Sequence, residues 1–170
     1  MSKGMVHIYT GNGKGKTTSA AGLAARCAGH SKKVIFYQFL KVTPTGELDS
    51  LKKLGVDVIR VNTCEKFYSN MNDEEKNITK RETDSALVSL FSKPCALLVL
   101  DEILCAADNG IINIGKIIEI IKNKPSDTEL ILTGRNMPAE LLEYADYVSE
   151  IKCLKHPYDK GIDARQGIDF

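Results

Sequence analysis

Short apolar runs alternate along the chain with longer stretches in which apolar residues recur at helical spacing. The runs have the length of strands, about four to eight residues, and several are apolar throughout rather than at every second position. They predict six strands, at Val6–Tyr9, Val34–Phe39, Val56–Val61, Ala96–Leu100, Glu129–Thr133 and Tyr147–Leu154. Helices are predicted at Lys16–Gly29, Gly46–Leu54 and Asp73–Ser92.

Strands that are separated by helix-length segments predict an α/β fold. Crossovers of this length connect parallel strands, and strands that are apolar throughout are typical of a sheet covered on both faces. We therefore expect one domain over residues 1–170, with a mostly parallel central sheet of about six strands. Such sheets bind ligands beyond the carboxyl ends of their strands, so the residues that follow each strand are the candidates for a site.

Composition narrows the class of protein. The 23 basic residues are matched by 22 acidic ones, which argues against binding to nucleic acid or to an anionic membrane. Five scattered cysteines without a C-x-x-C pair indicate reduced thiols and a cytoplasmic location rather than disulfides or a zinc site. No signal peptide and no apolar run of membrane-spanning length are visible.

A glycine- and lysine-rich run follows the first predicted strand and opens the first predicted helix. Its residues are Thr10, Gly11, Asn12, Gly13, Lys14, Gly15, Lys16, Thr17 and Thr18. A strand, a glycine-rich loop and a helix N-terminus predict a phosphate-binding loop, with Lys16 as a point charge and Thr17 as a hydroxyl ligand for Mg²⁺. Compared with the pattern G-x-x-x-x-G-K-[ST], one residue is missing between the glycines, and Lys14 is an additional cation. The alternative is a strand-to-helix turn without a ligand.

The fourth predicted strand ends in two acids, Asp101 and Glu102. Beside a phosphate loop, a carboxylate at this position holds Mg²⁺ directly or through water. The alternative is that Asp101 caps the helix that follows. The sequence leaves open which of the two carboxylates would bind the ion.

Other strands also end in polar residues. Arg135 follows the fifth strand and can pair with phosphate oxygens, although it could be a surface residue after a turn. Gln38 and Lys41 lie at the end of the second strand, where Gln38 could equally be a structural amide. Phe67, in a polar loop at the same edge, is a candidate contact for a planar ligand, with packing under the loop as the alternative. The glycine-rich and charged tail, Gly161–Phe170, is expected to be a strap docked on the surface.

Several of these segments together resemble one family. The segments are TGNGKGKTT, AARCAGH, QFLKV, LLVLDE, ILTGRN, YADYVSEI and KHPYDKGIDARQGID. In this order they are similar to the P-loop type of ATP:corrinoid adenosyltransferases, over Val6 to Asp169. The resemblance implies a RecA-like P-loop NTPase fold, a homodimer, and transfer of the 5′-deoxyadenosyl group of ATP to the Co(I) of a reduced corrinoid, such as cobalamin or a precursor, with release of triphosphate. It also implies that ATP lies in the loop in the reverse sense from ordinary ATPases.

The resemblance further implies roles for individual residues. Lys14 and Lys16 would hold the triphosphate, Thr17 with Asp101 or Glu102 would bind Mg²⁺ or Mn²⁺, and Arg135 would add positive charge. Arg26, in AARCAGH, matches a position near the nucleotide, with a solvated helix residue as the alternative. 

The aromatic residue of the family that packs on the corrin face, and so makes cobalt easier to reduce, is best matched by Phe67. A flavin-type electron donor and an adenosylcobalamin-dependent client enzyme are the expected partners.

This chain also departs from some members of the family. It contains no Trp, so the second aromatic residue near Phe67 is in question, with Tyr68 as the possible substitute. The first strand begins close to Met1, so we expect no N-terminal helical lid and a cavity that is open or closed by another element. An ordinary P-loop kinase or ATPase and a nucleotide-gated corrinoid chaperone remain the alternative functions.

Overall fold

The computed structural model describes residues 3–41 and 43–170. The strands are β1 Val6–Thr10, β2 Val34–Gln38, β3 Asp57–Arg60, β4 Leu97–Asp101, β5 Glu129–Thr133 and β6 Tyr147–Glu150. The α-helices are α1 Lys16–Gly29, α2 Gly46–Lys53, α3 Asp73–Val88, α4 Ile103–Asp108 and α5 Ile114–Asn123. Short 3₁₀ helices lie at Tyr68–Asn70, Ala139–Tyr144 and Pro157–Lys160.

The six strands form one sheet in the order β3-β2-β4-β5-β1-β6, and each described pairing is parallel. The α/β class is therefore confirmed, and the sheet predicted as mostly parallel is parallel in all its described pairings. The phosphate loop leaves β1 between its neighbours β5 and β6, and β4 lies on the far side of β5. The carboxyl ends of these strands consequently lie along one edge of the sheet.

Helices cover both faces of the sheet, as the apolar strands predicted. On one face, α4 and α5 pack against the alternate strand residues Ile8, Leu98, Leu100, Leu130 and Leu132. On the other face, α1 and α2 pack against Phe36, Val99 and Ile131. Strand β4 is buried at all five positions, which explains its lack of apolar and polar alternation.

Several predicted boundaries were wrong. The last strand ends at Glu150 instead of Leu154, because the carbonyl group of Ile151 accepts a hydrogen bond from Gly13 N of the phosphate loop (2.7 Å) and the chain leaves the sheet. Helix α3 ends at Val88 instead of Ser92. Helices α4 and α5, between β4 and β5, had not been assigned from the sequence, and the buried α4 shows little amphipathic pattern because its sequence is ILCAAD.

Within residues 3–41 and 43–170, no helix combines the length and the apolar character that crossing a membrane requires.

Candidate active site

The first half of the phosphate loop is fixed by the protein itself. Gly11 N donates to the carbonyl oxygen of Arg135 (2.9 Å), and Gly13 N donates to that of Ile151 (2.7 Å). The side-chain oxygen of Asn12 accepts from Cys153 N (2.9 Å). These three residues were predicted to contact the nucleotide, but in this structure their polar groups tie the loop to the segments that follow β5 and β6.

The glycines of this half allow that close approach. Gly11 has a φ of 103°, which disfavours any residue with a side chain. A Cβ atom added to Gly13 would lie 2.8 Å from the carbonyl oxygen of Ile151. Glycine at position 13 therefore lets the loop lie directly on the backbone after β6.

The second half of the loop offers unpaired donors to a ligand. Gly15 is the N-cap of α1, and the hydrogen bond from Ser19 N to Gly15 O (2.8 Å) is the first of the helix. The N–H groups of Lys16, Thr17 and Thr18 consequently have no partner within the helix. Together with the positive end of the helix dipole, they give the start of α1 the geometry and charge that suit a phosphate group.

Lys16 is a buried cation beside these donors. Lys16 is only 8% exposed, and its Nζ donates to Gly13 O (2.8 Å). Burial lowers the pKa of Lys16; Glu102 opposes this effect, and the charges of Arg135 and Lys41 add to it. An anionic ligand would compensate for this burial, since it favours the charged ammonium group.

Asp101 lies at the centre of a hydrogen-bond network below the loop. It is fully buried, and its Oδ1 accepts from Thr17 Oγ1 (3.0 Å) and Thr133 Oγ1 (2.8 Å). Its Oδ2 accepts from Gln38 Nε2 (3.3 Å). Burial raises the pKa of Asp101, and the charge of Lys41 opposes that rise. The alternative that Asp101 caps the next helix was wrong, because Glu102 is the N-cap of α4.

Glu102 occupies a conformation that is unusual for a residue with a side chain. Its φ is 64°, and its backbone N–H donates to Thr133 Oγ1 (2.9 Å). Its side chain lines the cavity. Positive φ values outside glycine concentrate at functional sites, because the surrounding structure has to hold them in place.

The acidic residues and the loop hydroxyl have the chemistry of a magnesium site. Mg²⁺ in proteins is held by one or two carboxylates together with phosphate oxygens and several waters. Asp101, Glu102 and the hydroxyl of Thr17 fit this ligand set. The described part of the chain contains no group of three His, Cys, Asp or Glu side chains that would form an all-protein site. Gln38 Oε1 is buried beside Asp101 without a hydrogen-bond partner, so it is available to a donor such as water.

A cavity of about 620 Å³ opens over these groups. The residues that line it come from the end of the phosphate loop, the first turns of α1 and α2, and the tail, and they include Lys41 and Glu102. Its size suits a nucleotide or another drug-sized ligand.

The carboxyl-terminal tail, residues 156–170, docks against the phosphate loop. Lys14 Nζ donates to the carbonyl oxygen of Ile168 (2.8 Å) and forms an ion pair with the carboxylate of Asp169. Arg165 N also donates to Asp169 (2.9 Å). The hydrogen bond from Lys14, with help from Arg165, lowers the pKa of Asp169. The tail is thus the surface strap that its composition predicted, and it forms one wall of the cavity.

The remaining predicted residues lie outside the cavity. Arg26 is in the last turn of α1, ten residues and about 15 Å along the helix from Lys16. Arg135 is exposed, but its charge acts on Lys16, and its carbonyl oxygen also accepts from Thr10 Oγ1 (3.1 Å). Phe67 is 69% exposed at the same edge of the sheet.

Two further side chains lie near the site. Tyr68, the proposed substitute for the missing Trp, packs against the core, and Lys76 Nζ lies 5.7 Å from its ring centre. Sequence reasoning missed Thr133, whose hydroxyl group contacts both Asp101 and the backbone of Glu102. The only sequence signal for Thr133 is its position as the last residue of an apolar strand.

These features define an α/β protein with a P-loop nucleotide site. The model of the family "ATP:corrinoid adenosyltransferase BtuR/CobO/CobP" matches residues 2–170, and the chain belongs to this family. It is 35% identical over 170 residues to a corrinoid adenosyltransferase of Escherichia coli K12, covering 99% of this chain and 86% of the relative. It is 34% identical over 178 residues to the corrinoid adenosyltransferase CobA of Salmonella typhimurium LT2, covering 99% of this chain and 86% of the relative. A corrinoid adenosyltransferase of Pseudomonas aeruginosa is 32% identical over 171 residues, covering 99% and 84%.

Proposed function

We propose that this chain transfers the 5′-deoxyadenosyl group of ATP to the Co(I) of a reduced corrinoid and releases triphosphate. The family supports this reaction, and the whole of residues 1–170 is proposed to act as one adenosyltransferase domain. The single observation in the structure that carries the proposal is the set of unpaired N–H groups beside Lys16, which face a cavity large enough for a nucleotide.

The leaving group would be stabilised at the start of α1. The N–H groups of Lys16 to Thr18 and the Lys16 ammonium group are fixed before ligand binding, so they can stabilise the charge that develops on triphosphate without reorganising. Lys41 would face the same anion from the cavity wall. Arg135 would add longer-range positive charge, because it already acts on Lys16.

Mg²⁺ or Mn²⁺ would be held by Thr17, Asp101 and Glu102, and when bound it would neutralise part of the triphosphate charge. Asp101 is oriented for this role by Thr133 and Gln38. Burial raises the pKa of Asp101, and a nearby divalent cation would oppose this effect because its charge favours the ionised carboxylate.

The protein needs to supply no nucleophile, since Co(I) is itself strongly nucleophilic. Its task is to align the cobalt with C5′ of the ribose and to keep water out of the path of attack. Phe67 is the proposed contact for the corrin face, supported by its exposed ring at the ligand edge. Arg26 remains a proposed nucleotide contact that would need an adenosine moiety lying far along α1.

The proposed partners follow from the family. We expect a homodimer, a flavin-type electron donor that produces Co(I), and delivery of the product to an adenosylcobalamin-dependent client enzyme. A cytoplasmic location is proposed as well, supported by five cysteines that are all free in the structure.

The reaction can be tested under anaerobic conditions with ATP, Mg²⁺ and chemically reduced cob(I)alamin. The proposal predicts a light-sensitive adenosylcobalamin spectrum and one triphosphate for each corrinoid alkylated. ADP and phosphate with unmodified corrinoid would instead indicate a kinase or ATPase. Tight corrinoid binding without alkylation would indicate a chaperone.

A further inference from the structure

The turn after β2 has a backbone conformation that leucine normally avoids. Leu40 has a φ of 51°, in the left-handed region, where the Cβ atom approaches the next carbonyl group. The next residue, Lys41, lines the cavity. The direction of the Lys41 side chain therefore depends on what holds Leu40 in this conformation.

Asn62, two residues after the end of β3, holds this turn. It is 6% exposed, and its Oδ1 accepts from Leu40 N (3.0 Å). Its Nδ2 donates to Thr79 O and Thr83 Oγ1, both at 3.2 Å. The N–H of Leu40 can only donate and the carbonyl oxygen of Thr79 can only accept, so the Asn62 amide has one orientation that satisfies both contacts. Asn62 thus connects helix α3 to the turn that precedes Lys41.

Lys41 is electrostatically part of the site. It lines the same cavity as Lys16 and Glu102, and its charge acts on both Lys16 and the buried Asp101. A displaced Lys41 would change the charge around both groups, although Asn62 itself does not line the cavity.

We propose that Asn62 is a positioning residue for ATP, which acts by directing Lys41 toward the phosphate chain. The proposal rests on the proposed function, since it takes the triphosphate of ATP as the ligand of the cavity. It assigns to a buried amide outside the P-loop a share in nucleotide affinity.

The test is a double-mutant cycle on the dissociation constant of ATP, measured by calorimetric titration with Mg²⁺ and without corrinoid. Asn62→Ala is expected to weaken ATP binding about threefold to tenfold, the range of one lost hydrogen bond. In a Lys41→Ala background, Asn62→Ala is expected to have no further effect, because the residue through which it acts is already absent. Thr83→Val is the matched control, because it removes a contact of Asn62 with α3 and keeps that with Leu40.

Stability and a second variant separate positioning from a loss of folding. Thermal unfolding is recorded for each variant, and Thr83→Val is expected to lower the melting temperature while ATP affinity stays unchanged. If Asn62→Ala does not fold, Asn62→Ser is used instead, because serine leaves a small polar group at the buried position but cannot reach both Leu40 N and helix α3. It is expected to weaken ATP binding in the same range, and only when Lys41 is present.

Additive effects of the Asn62 and Lys41 substitutions would overturn the proposal, as would equal loss of affinity in Thr83→Val. The failure of the proposed function has a different signature. In that case the unsubstituted protein would either bind no ATP or bind it without alkylating cob(I)alamin, whatever the variants do.

Discussion

Replacing Asp101 by asparagine is expected to make the protein more stable and less able to bind ATP with Mg²⁺. Asparagine has nearly the same shape, and threonine hydroxyls can accept hydrogen bonds as well as donate them. Contacts with Thr17 and Thr133 can therefore persist in Asp101→Asn when the asparagine oxygen takes the place of Oδ1. The contact with Gln38 persists if the Gln38 amide turns its unpaired Oε1 toward the new NH2 group. What the substitution removes is a negative charge from a fully buried position.

The size of the stability change follows from the raised pKa. Each unit by which burial raises the pKa of Asp101 costs about 1.4 kcal/mol when the carboxyl group is ionised. Asp101→Asn avoids this cost, so we expect a gain in the free energy of unfolding on the order of 1 kcal/mol. In a chain of this size, about 1 kcal/mol corresponds to a rise of about 2–4 °C in Tm.

The gain should depend on pH in a defined direction. The folded pKa of Asp101 lies above the unfolded value, so the unsubstituted protein loses stability as pH rises from the unfolded pKa to the folded one. Asp101→Asn lacks this loss. The two proteins should differ little in strong acid, and the variant should gain its full advantage only above the folded pKa.

Two assays check the prediction. Thermal unfolding at several pH values measures stability, and titration with ATP in the presence and absence of Mg²⁺ measures binding. We expect about a 10- to 100-fold loss of affinity only when Mg²⁺ is present, as for groups that support a metal site. Asp84→Asn, the same chemical change at an exposed position of α3, should alter neither property.

The reasoning would be refuted if Asp101→Asn lowered the melting temperature at neutral pH, because the carboxylate would then contribute stability. It would also be refuted if the variant bound ATP with Mg²⁺ as tightly as the unsubstituted protein. In that case Asp101 would be a structural residue below the site.

Three further predictions concern the loop, the aromatic residue and the tail. Gly13→Ala should destabilise the protein by about 1–3 kcal/mol and weaken ATP binding, because the added Cβ meets the backbone of Ile151. Gly22→Ala, in open space on α1, should stabilise the protein by about 0.5–1 kcal/mol. Denaturant unfolding measures both changes in stability. Phe67→Ala should leave Tm and ATP affinity unchanged but slow cobalamin alkylation, measured spectroscopically. The exposed ion pair between Lys14 and Asp169 is screened by salt, so a protease should cut the tail of the unsubstituted protein faster at high salt than at low salt. Asp169→Asn lacks this ion pair, so its tail should be cut quickly at any salt concentration.

The sheet and the loop could be predicted because their signals are local. Five of the six predicted strands match the structure to within one residue at each end, and the sixth is four residues shorter than predicted. Short apolar runs bounded by polar residues are a direct signal for buried strands. The phosphate loop combines glycines, lysines and hydroxyls in one short segment. Helix α4 was not predicted because it is short and buried, so its sequence has almost no polar face.

The rest of the site depends on contacts between distant parts of the chain. Lys14 and Ile168 are 154 residues apart, and no sequence pattern links them. The burial of Asp101, which decides its pKa, results from the packing of its neighbours. Asn62 looked like any other polar residue at the end of a strand, and its role emerged only with the position of Leu40.

The position of the tail has a practical consequence for protein engineering. Phe170 lines the cavity, so any polypeptide attached after it would emerge at the mouth of the site and compete with substrates for space. Gly4 lies at the opposite edge of the sheet, where its N–H donates to Ser126 O (2.8 Å). Purification tags, fluorescent reporters and surface anchors therefore belong at the amino-terminal side of this enzyme.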